Sequence, residues 1–121
     1  MLEIGKQTEE TLLKHLQAFG SGDVDAIIAD YDEAAVFIMP NGPLRGKDEI
    51  RLLFESLVAD LPPGSTLEVS EQIVEGEIAY IVWSGESEKL KVPFATDTFI
   101  VRDGKIVAQT LAAQMERKGS A

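Results

Sequence analysis

Two ionisable side chains, His15 and Asp97, occupy positions where the surrounding sequence is apolar. His15 lies between Leu12 and Phe19 in a stretch whose apolar residues recur at three- and four-residue spacing, which is typical of one face of a helix. Asp97 alternates with Phe99 and other small or apolar residues, which indicates the inner face of a strand. A carboxyl group in such a place has a raised pKa and can serve as a neutral hydrogen-bond donor or as a base. A nearby imidazole can exchange protons near neutral pH.

Both residues also have a structural explanation. A lone histidine on an apolar helix face is more often a core residue with satisfied hydrogen bonds than a catalyst. Asp97 can equally be held by backbone amides, be paired with Arg45 near a rim, or face a subunit interface. The sequence leaves these alternatives open.

Composition excludes several other kinds of site. The chain has 121 residues, no cysteine, one histidine, and 21 acidic against 11 basic residues, for a formal net charge of −10. The absence of cysteine rules out disulfides and thiolate sites, and a single histidine rules out a multi-histidine metal centre. The negative charge argues against nucleic acid and anionic membranes as partners. We expect no metal and no cofactor.

Neither the amino terminus nor any later segment is predicted to address the chain to a membrane. The first residues carry acids early, and no long apolar run follows, so a signal peptide or a membrane anchor is not expected. The expected location is the cytoplasm. The acidic residues between 23 and 33 lack the spacing of an EF-hand loop. We interpret them as a solvated face, with Asp23 as a helix cap.

The element pattern predicts an α+β domain. Helical spacing predicts a helix from Thr8 to Gly20 with Thr8 as its cap, a short helix from Asp23 to about Tyr31, and a third helix from Lys47 to Asp60. A short strand, residues 34–39, precedes a turn at 40–43. The second half predicts an antiparallel meander of four strands, at 66–75, 77–85, 90–102 and 105–115.

Three segments carry a resemblance to a known family. The stretches FGSGDVDAI (19–27), LRGKDEI (44–50) and DTFIVRDGKI (97–106) resemble motifs of the nuclear-transport-factor-2-like superfamily, which includes SnoaL-like and ketosteroid-isomerase-like proteins. The match covers residues 8–115 of a single domain, 1–121. It implies a cone in which a strongly bent antiparallel sheet wraps the three helices around an apolar pocket. It does not decide function, because the superfamily includes enzymes and noncatalytic modules.

Among the members of this superfamily, ketosteroid isomerases indicate which positions of the chain would be catalytic. Such an enzyme uses a carboxylate base together with a tyrosine and a protonated aspartic acid as oxyanion donors. Aligned on the three motifs, His15 stands in place of the tyrosine and Asp97 in place of the donor acid. The position of the base is taken by Met39. His15 and Asp97 are therefore the candidate catalytic residues, without the usual base.

The remaining candidate residues are expected to bind a ligand rather than react with it. Tyr80 and Trp83 have opposite parity in one strand, and the resemblance places Tyr80 inside and Trp83 on the outer face. Gln109 shares its parity with Leu111 and can offer a hydrogen bond to a ligand carbonyl. The predicted ligand-binding residues are Phe19, Tyr31, Met39, Leu53, Leu57, Tyr80, Phe99, Gln109 and Leu111.

Three functional hypotheses follow. The first is a small-molecule enzyme of isomerase or cyclase type that moves a proton on a hydrophobic carbonyl compound with Asp97 and His15. The second is a noncatalytic ligand-binding or assembly module, which the residue at the base position, Met39, favours. The third is an epoxide-hydrolase-like relay built on Asp97 and Arg45, for which a second pocket acid is missing.

A homodimer is also expected. The resemblance implies contact through the outer face of the sheet. The strands contain apolar residues of both parities, including Ile78, Val82, Ile100 and Ile106. This pattern argues against a sheet with one face exposed to solvent.

Overall fold

Helices fill much of the first half of the chain and strands fill the second. The computed structural model describes residues 2–119, in the order α1 (Leu2–Ser21), α2 (Val24–Ala29), β1 (Tyr31–Met39), β2 (Gly42–Arg45), α3 (Gly46–Asp60), β3 (Thr66–Glu75), β4 (Ile78–Glu86), β5 (Leu90–Arg102) and β6 (Lys105–Arg117). Within these residues, no helix combines the length and the apolar character needed to cross a membrane. The α+β class and the predicted meander of four strands are confirmed.

One curved sheet contains all six strands in the order β2-β1-β6-β5-β4-β3. Neighbouring strands are antiparallel except for β1 and β6, which are parallel. The parallel pair arises because α3 carries the chain to the far edge of the sheet, from which the meander returns to β1. Register shifts interrupt β3, β4 and β5. Irregularities of this kind bend strands, and the helices pack on the concave side.

Several predicted boundaries change. Helix α1 begins at Leu2, so Thr8 is not its cap: the Thr8 hydroxyl lies 3.0 Å from the Ile4 carbonyl oxygen and 2.7 Å from that of Gly76. A threonine hydroxyl can bond to the carbonyl four residues earlier and so remain inside a helix. Helix α2 ends before Tyr31, which starts β1. Asp23 does cap α2, because its carboxylate accepts a hydrogen bond from the Ala26 amide at 3.1 Å. The strand β2 was not predicted.

Alternation along β5 places Asp97 on the concave face. Ala95, Asp97, Phe99 and Val101 are buried, whereas the residues between them are half-buried. The predicted inner face of this strand is therefore correct for these four positions. Pro93, two residues before Ala95, is exposed instead, because a register shift between 91 and 94 changes the parity.

Candidate functional site

An apolar pocket of about 280 Å³ lies between the helices and the concave face of the sheet. Its aromatic walls are Phe19, Phe37, Phe54, Trp83 and Phe99. Leucine, isoleucine and valine side chains from α1, α3 and β3, β4 and β6 complete the apolar lining. The four polar or charged residues that line the pocket are His15, Glu68, Asp97 and Gln109.

Asp97 is buried in this wall, with 6% of its surface exposed. The Trp83 indole Nε1 donates to Oδ1 at 2.6 Å, and the Gln109 amide Nε2 donates to Oδ2 at 2.8 Å. Asp97 is paired with Ile81 on one side and Leu111 on the other. Trp83 and Gln109, each two residues from one of these partners, are therefore diagonal neighbours on the same face. Side chains hold Asp97, rather than the backbone amides or Arg45 considered from the sequence.

The hydrogen bonds around Asp97 are all donated in the direction of its carboxyl group. The Tyr31 hydroxyl donates to Gln109 Oε1, so the amide nitrogen of Gln109 faces Asp97. An indole N–H can only donate. Each carboxyl oxygen of Asp97 therefore receives one hydrogen bond from a neutral donor.

Burial raises the pKa of Asp97, while the hydrogen bonds from Trp83 and Gln109 and the proximity of His15 partly offset this rise. Burial also raises the pKa of Tyr31 well above its usual value, and the negative charges of Asp97 and Asp30 add to the effect. Tyr31 consequently keeps its proton near neutral pH and acts as the donor at the end of the network.

His15 lines the same pocket but does not bond to Asp97. Its ring makes edge-to-face contacts with Tyr31, Phe54 and Phe99 at centroid distances of 5.5, 5.7 and 5.6 Å. Within residues 2–119, the carboxylate nearest to its ring nitrogens is that of Asp30, with Nδ1 3.7 Å from Oδ2. The partnership of His15 with Asp97 expected from the sequence is thus replaced by one with Asp30.

Asp30 was missed by the sequence analysis, which assigned it to a solvated acidic face. Its side chain is only 1% exposed, whereas those of Asp25 and Glu33 in the same cluster are 88% and 90% exposed. Arg45 is exposed at the end of β2, and it forms no hydrogen bond or ion pair with Asp97 in the described part of the chain. The aspartate–arginine pair of the epoxide-hydrolase hypothesis is therefore not formed.

The predicted ligand-binding residues divide into two groups. Phe19, Leu57, Phe99, Gln109 and Leu111 line the pocket. Tyr31, Met39, Leu53 and Tyr80 do not line it. Tyr31 is buried behind Gln109, while Met39 and Leu53 are half-buried against the core.

The assignment of Tyr80 and Trp83 is reversed. Because Ile81 pairs with Asp97, the residues of β4 that share its parity point inward, and these include Trp83. Tyr80 pairs with Thr98 on the outer face. Leu67 and Val69 of β3, which the sequence analysis also missed, complete the pocket wall opposite α1.

Trp83→Phe is expected to raise the pKa of Asp97. The substitution keeps an aromatic ring but removes the Nε1–H bond that stabilises the carboxylate. The midpoint of the Asp97 carboxyl titration, followed by ¹³C NMR, should therefore move to higher pH. Tyr80→Phe, on the opposite face of the same strand, is the control and should leave it unchanged. A midpoint that does not move in Trp83→Phe would contradict the assigned hydrogen bond.

Comparisons with known proteins agree with this architecture. A family model described as a SnoaL-like domain matches residues 12–109. Among curated proteins, no sequence matches. Similar solved structures include an epoxide hydrolase/cyclase-like enzyme, SalBIII, with a role in pyran ring formation in the polyether salinomycin (19% identity, 93% of this chain and 97% of that one, TM-score 0.79).

Two further structures show the same fold. One is a putative ketosteroid isomerase from Kribbella flavida DSM 17836, at 13% identity, 97% and 84% coverage and a TM-score of 0.76. The other is an NTF-2-like protein of unknown function from Burkholderia xenovorans LB400, at 23% identity, 91% and 84% coverage and a TM-score of 0.74. The family model spans most of the chain, and the fold expected from the three sequence motifs is present. The chain belongs to the SnoaL-like domain family of the nuclear-transport-factor-2-like superfamily.

Proposed function

We propose that this protein binds a neutral, hydrophobic carbonyl compound in the pocket and moves a proton on it, with Asp97 as the group that accepts and returns the proton. The observation that carries the proposal is the carboxyl group of Asp97, which lies on the wall of an apolar pocket and, within residues 2–119, receives hydrogen bonds only from the neutral donors Trp83 and Gln109. A buried carboxylate without a neutralising cation is costly to maintain. Such groups cluster at sites of proton transfer.

The hydrogen-bond directions favour the role of base over that of donor acid. Trp83 and Gln109 each occupy one acceptor site on Asp97 and leave further lone pairs for a proton taken from the ligand. A raised pKa makes the carboxylate of Asp97 a stronger base. Met39, at the base position of ketosteroid isomerases, does not line the pocket, so the base has to come from elsewhere. His15 provides a second polar group for the ligand.

The charge of the pocket favours an uncharged ligand. In the described part of the chain no lysine or arginine lines it, whereas Glu68 and Asp97, which do, are acidic. A carboxylate or phosphate would have to be desolvated there without a cationic partner, which is unfavourable. The aromatic walls fit a flat, apolar body.

The test uses the chain's only tryptophan, Trp83, as a reporter of occupancy. We expect β-tetralone, a flat bicyclic ketone with acidic α-hydrogens, to change the Trp83 fluorescence saturably, and the anionic β-naphthoate to do so far more weakly. In deuterated buffer, the protein should then accelerate exchange of the α-hydrogens of bound β-tetralone, read by ¹H NMR. Binding without accelerated exchange would instead support the second hypothesis, a noncatalytic ligand-binding module.

A homodimer through the convex face of the sheet is part of this proposal. The helices cover the opposite face, and on the convex face Ile38, Ile73, Ile78 and Phe94 are each about half exposed. Tyr80, Val82 and Ile100 are half-buried between them. Ile106, named from the sequence among the apolar residues of both parities, is buried inside. An apolar area of this kind on a small domain is typical of a protein–protein contact.

Static light scattering at micromolar concentration is expected to give twice the chain mass of 13.2 kDa. Val82→Arg, in the middle of the convex face, should reduce the mass to that of one chain, because an arginine there has to be buried without a partner. Leu52→Arg, on the exposed face of α3, is the control and should leave the dimer intact. A wild-type mass of one chain would overturn the proposal.

A further inference from the structure

We propose that Asp30 is a positioning residue that holds His15 in the tautomer with its proton on Nδ1 and thereby presents an unprotonated Nε2 to the pocket. The use of that nitrogen on a ligand rests on the proposed function, whereas the tautomer does not. The observation is a pair of enclosed polar atoms, His15 Nδ1 and Asp30 Oδ2. Neither has a hydrogen-bond partner within residues 2–119, and they lie 3.7 Å apart.

The backbone of Asp30 is fixed from both sides. Asp30 caps the carboxyl end of α2, where its amide donates to the Ile27 carbonyl at 3.2 Å, and its own carbonyl accepts from the Ile106 amide at 2.8 Å. A negative side chain at the carboxyl end of a helix gains nothing from the helix dipole, which favours cations there. Helix capping therefore does not explain why an acid is buried at this position.

Within residues 2–119, the basic groups that lie within 4.0 Å of the Asp30 carboxylate both come from α1. The ammonium group of Lys14, whose side chain is 69% exposed, lies 3.3 Å from Oδ1. His15, the next residue, brings Nδ1 toward Oδ2. Lys14 therefore pairs with one oxygen from the solvent side and leaves the other oxygen for the imidazole.

The distance of 3.7 Å is longer than a hydrogen bond, so the proposed contact requires the two atoms to move closer. Catalytic hydrogen bonds are often long in ligand-free structures and shorten when the substrate binds. The rings of Tyr31, Phe54 and Phe99 surround the imidazole edge to face and restrict its plane. The charged or titratable groups around His15 are thus Asp30, Lys14 and Tyr31, with Asp97 acting from the sheet.

A carboxylate that accepts from Nδ1–H leaves Nε2 as a hydrogen-bond acceptor. His15 lines the pocket, and its Nδ1 is enclosed beside Asp30. The structure thus assigns Nε2 to the pocket as an acceptor for a ligand hydroxyl or a transferred proton. Asp30 acts on the ligand only through His15.

The experiment exploits the fact that His15 is the chain's only histidine. Protein labelled with ¹⁵N in histidine gives two ring-nitrogen signals, and the unprotonated nitrogen resonates far downfield of the protonated one. At a pH where titration shows the ring to be neutral, we expect Nδ1 to carry the proton in the wild type. A wild-type ring protonated mainly on Nε2 would overturn the proposal.

Two variants extend the measurement. Asp30→Ala removes the acceptor and should shift the population toward the Nε2–H form that free histidine prefers. Asp30→Leu has a similar volume and offers no acceptor, so it should shift the population in the same direction, which keeps the test available if the alanine variant does not fold. Asp25→Ala, at an exposed acid on α2, is the control and should leave the wild-type pattern unchanged. An unchanged tautomer in a folded variant that lacks the Asp30 carboxylate would count against the assignment.

The measurements of the His15 tautomer require neither a ligand nor catalytic turnover. If the tautomer is as expected but β-tetralone is neither bound nor exchanged, the proposed function fails and the positioning role of Asp30 stands. If exchange is catalysed but the tautomer is the opposite one, only the role of Asp30 fails.

Discussion

Asp97→Asn is expected to lower the protein-catalysed rate of α-hydrogen exchange by about 10²–10⁴-fold, the usual contribution of a positioned acid or base. The substitution removes the proton acceptor and nearly preserves the shape of the side chain. Its oxygen can still accept from Trp83, and its new amide nitrogen can donate to Gln109 once the Gln109 amide turns over, so the pocket should keep its form. Binding of β-tetralone, read by Trp83 fluorescence, should change far less than the exchange rate.

Asp103→Asn is the matched control for this prediction. Asp103 is an exposed acid in the turn between β5 and β6, at a positive φ of 53° that asparagine also tolerates. It should exchange β-tetralone at the wild-type rate. If Asp97→Asn exchanged the ketone as fast as Asp103→Asn does, Asp97 would not be the base.

Asp97→Asn is also expected to change how the free energy of unfolding depends on pH. Because the folded-state pKa of Asp97 is raised, the native protein binds this proton more tightly than the unfolded chain does. The free energy of unfolding therefore falls as the pH rises from the ordinary aspartate range through the raised pKa. Urea titrations across that interval should show a smaller fall in Asp97→Asn than in the wild type. An identical pH dependence would indicate that burial does not perturb Asp97.

The largest loss of stability is expected from Phe54→Ala, at about 3–5 kcal/mol. Phe54 is 3% exposed, and its ring lies 5.7, 6.2, 5.9 and 6.0 Å from those of His15, Phe19, Tyr31 and Phe37. Its removal leaves a cavity between α1, α3 and β1. The measurement is urea unfolding at fixed pH.

Leu52→Ala on the same helix is the control for Phe54→Ala. Leu52 is 67% exposed, so its truncation should change the free energy of unfolding by no more than about 0.5 kcal/mol. If the two variants lost similar amounts, Phe54 would not join the helices to the sheet in the way the ring contacts indicate.

Local turn chemistry explains why the sequence predicts the meander well. Gly76 and Gly104 adopt positive φ values of 57° and 75°, which glycine tolerates at the tight turns that end β3 and β5. The parallel pairing of β1 with β6 has no local signal, because it depends on how far α3 carries the chain.

Register across β4 and β5 is the least predictable feature. The segment between these strands contains no tight turn like those at Gly76 and Gly104, and both strands have register shifts near it. A shift of one residue exchanges the two faces of a strand. Parity alone left open whether Tyr80 or Trp83 faces the pocket, and the resemblance, which placed Tyr80 inside, gave the reverse of the structure.

The candidate site, like the fold, could be predicted from the sequence only in part. The pocket positions of Asp97 and His15 follow from periodicity, because each lies on an apolar face of its own element. Asp30 was not found this way, because it was grouped with nearby acids such as Asp25 and Glu33, whose side chains are exposed. Its burial depends on the hydrogen bond between its carbonyl and the amide of Ile106, a residue far along the chain.

A crystal structure of the protein with β-tetralone tests the central claim most directly, because it shows which group meets the ligand. We expect the ketone inside the pocket with its α-carbon or carbonyl group beside the carboxyl group of Asp97. Asp97 should still accept hydrogen bonds from Trp83 and Gln109. A ketone bound outside the pocket, or one whose reactive atoms face Phe19 and Leu57 instead of Asp97, would contradict the assignment of Asp97 as the proton-transfer group.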